Sequence, residues 1–464
     1  MFNLKKYFKN FIKNFSLRNS IELVETTYSK NSKVNVLPRH LHGISRKLIS
    51  SAALKVLYGL KKAGFSAYLV GGGVRDLLLG LEPKDFDIST NAHPEQVYKL
   101  FRNSRLIGRR FKLVHIYYGS EIIEVSTFRA GSTEIQSSTH SKEGMIIRDN
   151  FYGTIEEDVM RRDFTINALY YNIYDFSLVD FTAGLHHLKQ KIIQVIGDPF
   201  TRYREDPVRM LRAIRLAEKL NFDIESSSEE ALFKLAPMIG QVSEARLFEE
   251  CSKLFLKGYA EKTFYALKKY GIAQVLFPLL MEELDQPCFA QLVHRVLVST
   301  DERVKQNKMV SPTFFYAALL WPNIVKAGQI WFSLGHDAYT ACELAMNQVI
   351  QKQQLTLAIP RRINLVMRDI WRFQSRFKTH RIKKAMQLAA HPRFRAAYDL
   401  LLLRAAIDEP DAKALSQWWT EFILASPEQK LSKMAQLKKL NLSEKKSKPK
   451  LKSKLQLKSE NKLQ

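Results

Sequence analysis

Residues 69–90 read LVGGGVRDLLLGLEPKDFDIST. The pattern predicts a short buried strand that ends at Val70 and passes through Gly71, Gly72 and Gly73 into a helix. Glycines at such a turn let backbone N–H groups approach a phosphate closely, and the helix N-terminus adds a favourable dipole. A tight strand-to-helix turn needs glycine in any case, so the triplet alone is weak evidence for a phosphate site.

Two carboxylates follow in the same stretch, at Asp85 and Asp87. If this segment is a strand, both point to one face, and Phe86 and Ile88 point to the other. Like charges on one face repel unless cations hold them, and two-magnesium phosphoryl transfer uses carboxylates at this spacing. An Asp-x-Asp pair is common in solvated turns, but after a glycine turn and a short helix it becomes the main functional signal. We therefore predict a catalytic pair that binds two Mg²⁺ ions.

A two-metal site usually needs a third acidic ligand, and the sequence offers Glu124 and Asp163. Period-2 alternation in 121–127 puts Glu124 on the face opposite the apolar Ile123 and Val125. Glu124 could instead be a cross-strand partner of a basic residue, and Asp163 could be a local ion pair or a helix cap. The pattern does not separate the two candidates.

A helix is predicted to open at REDPVRMLRAIR (204–215). Asp206 before a proline is typical of an N-cap followed by a first-turn proline. Arg209, Arg212 and Arg215 recur at every third residue, which we interpret as a basic ridge. A carboxylate and a guanidinium one turn apart can together meet the edge of a nucleobase, and further arginines can bind a triphosphate.

The surrounding sequence is mixed α and β from roughly 65 to 180, with a predicted hairpin formed by 113–118 and 122–128 around Gly119. Beyond Pro207 helical periodicity dominates, through 208–220, 244–256 and 262–270 to about 424. The second half is therefore predicted to be helical.

Charge points to a polyanionic partner, because 72 Lys and Arg against 46 Asp and Glu give a net charge of +26. The three cysteines are far apart and form no CxxC pair, which argues against a disulfide framework or a zinc site. No uninterrupted apolar segment resembles a secretory signal or a membrane span. We expect a cytoplasmic protein without stable membrane insertion.

The C-terminal segment 438–464 contains ten Lys against two Glu, and such a segment cannot bury enough apolar surface to offset its ordering entropy. It is predicted to be a disordered tail that either aids solubility or attracts RNA. The predicted RNA-binding lysines are Lys446, Lys448, Lys450, Lys452 and Lys454.

Five motifs occur in one order: GGGVRDLLLG (71–80), KDFDIST (84–90), IEVSTFR (123–129), EEDVMRRDFTINAL (156–169) and REDPVRMLRAIR (204–215). With them the chain resembles the class II branch of the polymerase-β-like nucleotidyltransferases, the family of bacterial poly(A) polymerases and tRNA CCA-adding enzymes. The resemblance implies that Asp85 and Asp87 bind metal, with Asp163 in the same catalytic group. It also implies that Gly72, Arg75 and Arg162 lie near the triphosphate and that Asp206 and Arg209 read the base. We assign Gly71 and Asn167 to the same nucleotide site.

The implied fold class is α+β. In chain order we expect a basic extension (1–40), a small mixed nucleotidyltransferase head (41–180), a helical neck (181–260), a helical RNA-binding body (261–430) and a disordered Lys-rich tail (431–464).

The choice of product within the family depends on RLIGRRFKLVH (105–115) and HPRFRAAYDLLLLRA (391–405), which resemble poly(A) polymerase segments. The implied activity is template-independent addition of AMP from ATP to RNA 3′ ends, which promotes RNA processing and decay. The alternatives are a tRNA CCA-adding enzyme and a non-catalytic RNA-binding protein of the same fold. The expected partners are RNA and ATP, with RNA-decay machinery as a further possibility, and we expect a monomer.

Overall fold

The computed structural model describes residues 34–108, 112–130, 152–379, 382–407, 409–426 and 429. The chain divides into two compact units. The first comprises the residues up to Val242 together with Lys269–Ile272, and the second comprises Ser243–Lys268 and the residues from Ala273 onward. Most of the N-terminal extension and the lysines predicted to bind RNA lie outside the described residues. The finer domain limits at 180, 260 and 430 stay predictions.

The first unit contains an eight-stranded sheet and a separate two-stranded sheet. The strands are β1 (Asn35–Leu37), β2 (Ala67–Val70), β3 (Asp87–Thr90), β4 (Ser104–Ile107), β5 (Leu113–Tyr118), β6 (Glu121–Thr127), β7 (Leu169–Asn172), β8 (Leu178–Asp180), β9 (Ile192–Ile193) and β10 (Asp223–Ile224). The large sheet has the order β1-β8-β7-β2-β3-β6-β5-β4. β3 and β6 run parallel, and the other neighbours in this sheet are antiparallel.

The predicted hairpin is confirmed as β5 and β6, which pair antiparallel around a glycine in the left-handed region, Gly119 at φ 62°. Parallel strands need a crossover, and the chain between β3 and β6 supplies one through a helix, β4 and β5. This crossover places the two central strands side by side although they are far apart in sequence.

Nine helices of the first unit lie within the described residues. They are α1 (Arg39–His42), α2 (Ser51–Lys62), α3 (Gly72–Leu78), α4 (Pro94–Leu100), α5 (Ile155–Arg161), α6 (Gly184–Gln190), α7 (Pro199–Glu205), α8 (Val208–Leu220) and α9 (Ser226–Leu235). The Ser50 side chain caps α2 by accepting a hydrogen bond from the Ala53 N–H, and Gly64 at φ 84° follows its end. The predicted limits of α8 are confirmed.

Every described helix and turn from Glu244 onward belongs to a helical assembly, without a strand in that part of the described chain. The helices are α10 (Glu244–Phe255), α11 (Ala260–Lys269), α12 (Ile272–Leu276), α13 (Pro278–Glu283), α14 (Pro287–Lys305), α15 (Pro312–Leu319), α16 (Trp321–Ser333), α17 (Ala338–Gln354), α18 (Arg361–Arg376), α19 (Ile382–Ala389), α20 (Phe394–Ala405) and α21 (Pro410–Leu424). The predicted α+β class with a helical body is confirmed. Residues 181–260 are helical except for the small β9–β10 sheet.

Buried aromatic residues fix α18 in the second unit. Trp371 is 1% exposed and donates its indole N–H to the Ala317 carbonyl at 2.8 Å. Trp419 of α21 is fully buried and donates to the Phe377 carbonyl at 3.1 Å. Large buried rings with satisfied N–H groups stabilise a single packing arrangement, so the C-terminal end of α18 is held in place.

Two exclusions made from the sequence can be checked within the described residues. None of the helices there is long and apolar enough to cross a membrane. Cys251, Cys288 and Cys342 are free thiols, as their spacing predicts.

Candidate active site

The glycine turn joins β2 to α3, as predicted, with Gly71 at φ 73° and ψ −144°. A side chain would strain this backbone conformation, and a Cβ at Gly71 would lie 3.4 Å from Asp87 Oδ2 and 3.8 Å from Arg162 Nη1. A Cβ at Gly73 would lie 3.2 Å from the Asp85 carbonyl oxygen. The turn therefore brings bare backbone against a carboxylate and a guanidinium at the same point.

The structure places Asp85 and Asp87 differently from the prediction. Asp87 is the first residue of β3, but Asp85 is exposed and precedes the strand, so the assignment of both residues to a strand is wrong for Asp85. The inward alternation that follows is as expected, because Phe86 and Ile88 are buried. Asp85 thus retains the freedom of a loop side chain while Asp87 is fixed in the sheet.

The parallel pairing of β3 with β6 puts Asp87 in register with Glu124. The pKa of Asp87 is raised to about 6. Burial is the largest cause, the Glu124 and Asp85 carboxylates contribute to the rise, and Arg162 and Arg212 oppose it. Repulsion between carboxylates favours the protonated form, so a proton or a cation is needed to relieve this group. Negative charge on Asp87 is therefore disfavoured by its surroundings.

Glu124 makes the cross-strand contact that one of its two interpretations predicts, and its part in metal binding stays a prediction. Its side chain is 45% exposed, and its Oε2 lies 3.6 Å from Nε2 of His115 on the adjacent β5. It is therefore a cross-strand partner of a potentially basic residue and a neighbour of Asp87. The predicted alternation is confirmed, because Ile123 and Val125 are buried on the opposite face.

Asp163 belongs to a different network. Its Oδ2 lies 2.6 Å from Arg212 Nη2, and its Oδ1 accepts hydrogen bonds from the Phe164 N–H at 2.8 Å and from Asn167 Nδ2 at 3.3 Å. Burial alone raises the pKa of Asp163, but Arg212 and these hydrogen bonds outweigh it and lower the pKa below its usual range. The expected local partner, Arg161 or Arg162, is therefore replaced by an arginine of α8.

Arg75 is 4% exposed and lies inside the same network. Its Nε donates to Asp76 Oδ1 at 2.8 Å and its Nη1 donates to Asn167 Oδ1 at 2.6 Å. Lys219 of α8 donates to the other Asp76 oxygen at 3.2 Å. These bonds tie the glycine helix α3 to α8, so Arg75 is held as a structural link beside the turn.

Arg162 faces the glycine turn from the other side. Its guanidinium donates to the Tyr170 hydroxyl at 2.5 Å, to Ser89 Oγ at 2.9 Å and to Asp158 Oδ2 at 3.2 Å. Burial disfavours its charge, but Tyr170 and Asp158 outweigh burial and raise the pKa of Arg162 above its ordinary value. A permanent positive charge is therefore fixed next to Gly71.

The motif at the α7–α8 junction is more buried than predicted. Arg209 is 8% exposed, and its Nη1 donates to the Arg202 carbonyl at 2.7 Å and to Glu205 Oε2 at 2.9 Å. Arg212 is 41% exposed and Arg215 is partly buried. The predicted basic ridge is wrong, because the three arginines do not share one exposed face.

Asp206 lies between α7 and α8, and its Oδ1 accepts a hydrogen bond from the Val208 N–H at 3.3 Å. The helix α8 begins at Val208 after Pro207. The predicted N-cap is therefore wrong by one residue: Pro207 is the N-cap of α8, without a side-chain cap hydrogen bond, and Asp206 is the C-cap of α7.

Sequence reasoning missed Arg202, which connects the two arginine-rich motifs. Its Nη2 donates to the carbonyl oxygens of Arg161 at 2.7 Å and Arg162 at 3.0 Å, while its Nη1 pairs with Glu205. The signal in the sequence is the spacing of Arg202, Glu205 and Arg209, which puts one glutamate within a helical turn of two arginines.

A positive cluster results around Arg161. Its pKa is lowered to about 9, mainly by burial and also by repulsion from Arg129, Arg202 and Arg209, against a smaller attraction from Glu205. Like charges gathered out of water favour an anion that can neutralise them. The site thus has an acidic side at Asp87 and a basic side around Arg161 and Arg162.

The donor chemistry on the acidic side suits Mg²⁺, which binds one or two carboxylates and completes its shell with water and substrate phosphates. The disfavoured charge of Asp87 is what a divalent cation offsets. Across the described ranges no three His, Cys, Asp or Glu side chains are already arranged as a ligand set. The residues fit a metal that is shared with a substrate.

Solved structures show which class of fold this is. The CCA-adding enzyme of Bacillus stearothermophilus in complex with CTP superimposes with a TM-score of 0.52 at 24% identity, over 80% of this chain and 81% of that one. The fold is that of a nucleotidyltransferase.

Sequence relatives narrow the class. The poly(A) polymerase I of Salmonella typhimurium is 48% identical over 407 residues, which cover 86% of this chain and 88% of the relative. The CCA-adding enzyme of Lactobacillus helveticus is 39% identical over 214 residues, 46% of this chain and 51% of the relative.

Family models match three successive regions. They describe a poly A polymerase head domain at residues 67–194, a probable RNA and SrmB-binding site of polymerase A at 221–284 and a polymerase A arginine-rich C-terminus at 334–454. The chain belongs to the poly(A) polymerase family of nucleotidyltransferases.

Proposed function

We propose that this protein is a template-independent poly(A) polymerase that transfers AMP from ATP to the 3′-hydroxyl of RNA and releases pyrophosphate. The observation that supports it most directly is the meeting of three features at one point. The Gly71 backbone lies against Asp87 Oδ2, Asp87 is in register with Glu124, and Arg162 closes the opposite side.

Asp85, Asp87 and Glu124 are the residues that would hold two Mg²⁺ ions, together with oxygens of the triphosphate. When bound, the ions supply activation of the RNA 3′-hydroxyl and charge neutralisation on the departing pyrophosphate. The exposed loop position of Asp85 leaves its side chain able to adjust to the substrate, while Asp87 is fixed by the sheet.

The remaining residues act by positioning and preorganised charge, which carry most of the catalysis in phosphoryl transfer. Backbone N–H groups at Gly71 and Gly72 and the guanidinium of Arg162 bind the triphosphate, with Arg212 and Arg215 as further cations. Arg75 and Asn167 hold the turn in place through their mutual 2.6 Å hydrogen bond. Asp163 acts through its bonds to Asn167 and Arg212.

Base recognition is assigned to Asp206 and Arg209. A carboxylate and a guanidinium can together offer an acceptor and donors to the Watson–Crick edge of adenine. Glu205 fixes Arg209 through the 2.9 Å bond, so the guanidinium enters binding with its orientation already set. Fixed donors discriminate bases better than mobile ones because little entropy is lost on binding.

The choice of AMP addition over CCA addition is supported by how far each resemblance extends. Similarity to the Salmonella typhimurium poly(A) polymerase I spans 86% of this chain, whereas similarity to the Lactobacillus helveticus CCA-adding enzyme spans 46%. We propose a cytoplasmic monomer whose Lys-rich tail attracts RNA and whose added tails direct transcripts to processing and decay.

Primer extension with each of the four nucleotides separately, in the presence of Mg²⁺, tests this function. We expect processive or repeated addition from ATP and little incorporation from CTP, GTP or UTP on an RNA primer. A tRNA that lacks its 3′ end is the matched second substrate. Incorporation of CTP followed by termination on that tRNA would identify a CCA-adding enzyme, and no incorporation on either substrate would identify a non-catalytic protein.

A further inference from the structure

The second unit contains a basic groove between the C-terminal end of α18 and the helix α19. Its volume is about 550 Å³, within the range of roughly 300–1,000 Å³ that is common for small-molecule sites. Among the described residues, four basic side chains and no carboxylate line it. The basic residues are Arg376, Lys378, Lys384 and His391.

One face of α19 forms a wall of this groove. Lys384, Gln387, Leu388 and His391 line it at positions i, i+3, i+4 and i+7, which share one side of a helix and its following turn. Ala385 of the same helix is fully buried. The helix therefore packs through a small residue and turns long polar side chains towards the groove, which keeps the groove open.

The exposed ring of His391 ends this wall and lies against Phe373, which is only 1% exposed. The rings of Phe373 and His391 lie 5.1 Å apart at an interplanar angle of 54°, and the Arg376 guanidinium carbon lies 5.9 Å from the Phe373 centroid. The His391 Nδ1 accepts a hydrogen bond from the Arg393 N–H at 3.1 Å, which fixes the imidazole. Flat rings next to cations match the two parts of a nucleotide, its base and its phosphate.

Lys378 differs from the other basic residues of the groove because its Nζ donates to Asp411 at 2.6 Å. The charge of Lys378 is therefore already paired with a carboxylate of the protein. Lys384 and Arg376 are exposed, and none of the ion pairs described within this part of the chain contains either of them. Their charges are therefore available to an anion that enters the groove.

We propose that this groove binds one nucleotide of a single-stranded RNA, with its phosphate on Lys384 and Arg376 and its base against the exposed ring of His391. The proposal rests on the proposed function in one respect, that RNA is the substrate. A paired duplex does not fit, because its bases are stacked inside and cannot reach an aromatic wall.

Two adjacent lysines of α19 provide the test. Lys384 lines the groove, and Lys383 is exposed on the same helix but does not line it. Lys384→Ala should weaken binding of a fluorescein-labelled oligo(A) strand about fivefold more than Lys383→Ala does. The salt slope between roughly 50 and 200 mM should fall by about 0.7 for Lys384→Ala alone, since one phosphate contact is lost. Equal effects of the two substitutions would overturn the proposal.

The base contact is tested with His391→Ala and two probes, oligo(A) and a ribose-phosphate strand without bases. His391→Ala should reduce the preference for oligo(A) over the abasic strand about fivefold, because stacking on one ring is lost. An unchanged preference would make the groove a simple anion site and overturn the proposal. Displacement of oligo(A) by free AMP that depends on Lys384 would instead assign the groove to a mononucleotide and also overturn it.

All binding measurements omit ATP and Mg²⁺, so they do not depend on AMP transfer. Melting temperatures of the variants are compared with that of the wild type to exclude a loss of folding. Failure of AMP addition by the wild type would defeat the proposed function and leave the groove result standing. Loss of the Lys384 effect with normal AMP addition would defeat the groove alone.

Discussion

Asp87 and Asp163, both shielded from water in the first unit, have opposite electrostatic surroundings. Asp163 has an arginine, an amide and a backbone N–H as partners, and its pKa is lowered in spite of burial. The pKa of Asp87 is raised to about 6, mainly by burial and also by the neighbouring Glu124 carboxylate. A carboxylate whose charge is already satisfied stabilises the fold, whereas one whose charge is disfavoured is available to bind a cation. We therefore expect Asp163 to stabilise the fold and Asp87 to bind a cation.

The largest effect is expected at Asp87. Asp87→Asn should lower the rate of AMP addition by about 10³-fold or more, comparable to the loss of one preorganised charged or hydrogen-bonding group. The same substitution should raise the stability of the protein above pH 6. Because the folded pKa of about 6 exceeds the ordinary value of 3.8, the wild type loses stability as pH rises through this window.

Melting temperatures measured without Mg²⁺ check the predicted effect of Asp87→Asn on stability. The asparagine variant should melt higher than the wild type above pH 6 and at the same temperature below about pH 4. Asp85→Asn is the matched control, since its exposed loop side chain predicts lost activity with a smaller change in melting temperature. An Asp87→Asn enzyme with normal activity would show that AMP addition does not need the Asp87 carboxylate.

A smaller effect, on stability, is expected at Asp163. Asp163→Asn removes the partner of Arg212 and should lower the free energy of unfolding by about 2 kcal/mol. This is below the 3–5 kcal/mol of fully buried pairs because Arg212 is 41% exposed. The lowered folded pKa means that the stabilisation is present above the ordinary value of 3.8 and is lost as pH falls below it.

Urea unfolding at neutral and acidic pH measures this difference. The gap between wild type and Asp163→Asn should narrow in acid. The gap for Asp87→Asn should also narrow in acid, but with the opposite sign, because Asp163→Asn is less stable than the wild type at neutral pH and Asp87→Asn is more stable. A gap that is constant from neutral to acidic pH would show that Asp163 stabilises the fold by packing and not by its charge.

The smallest effect concerns Arg202, which joins the two motifs through backbone carbonyls. Arg202→Gln should raise the KM for ATP about tenfold with a smaller change in kcat, because the segment that carries Arg162 loses its anchor. Arg204→Gln changes an exposed neighbour and serves as the control. Identical KM values for the two variants would remove Arg202 from the positioning network.

Local features of this site are predictable from sequence because neighbouring residues create them. The glycine turn and the hairpin follow from residue type and spacing, and the structure contains both. The basic ridge predicted from the arginine spacing in α8 is wrong for a geometrical reason. Residues three apart on a helix are rotated by 300°, so Arg209 and Arg215 point about 120° apart and cannot form one ridge.

Contacts between distant residues were not predictable in the same way. Glu124 meets Asp87 only because β3 and β6 are parallel neighbours, a fact of strand order that no local pattern contains. The ion pair of Asp163 with Arg212 likewise depends on how α8 packs beside the sheet. The charged residues next to Asp163 in sequence therefore do not identify its partner.

The parallel pairing of β3 with β6 also determines when the acidic side comes into being during synthesis. Asp87 leaves the ribosome well before Glu124, and β7, the outer neighbour of β2, begins only at Leu169. Non-local pairing is slow because chain entropy is lost before the contacts form. The nascent chain therefore keeps these carboxylates apart in water, where their repulsion is weak, and brings them together only when later strands have emerged. The Asp87–Glu124 carboxylate pair can therefore form only after β6 has been synthesised.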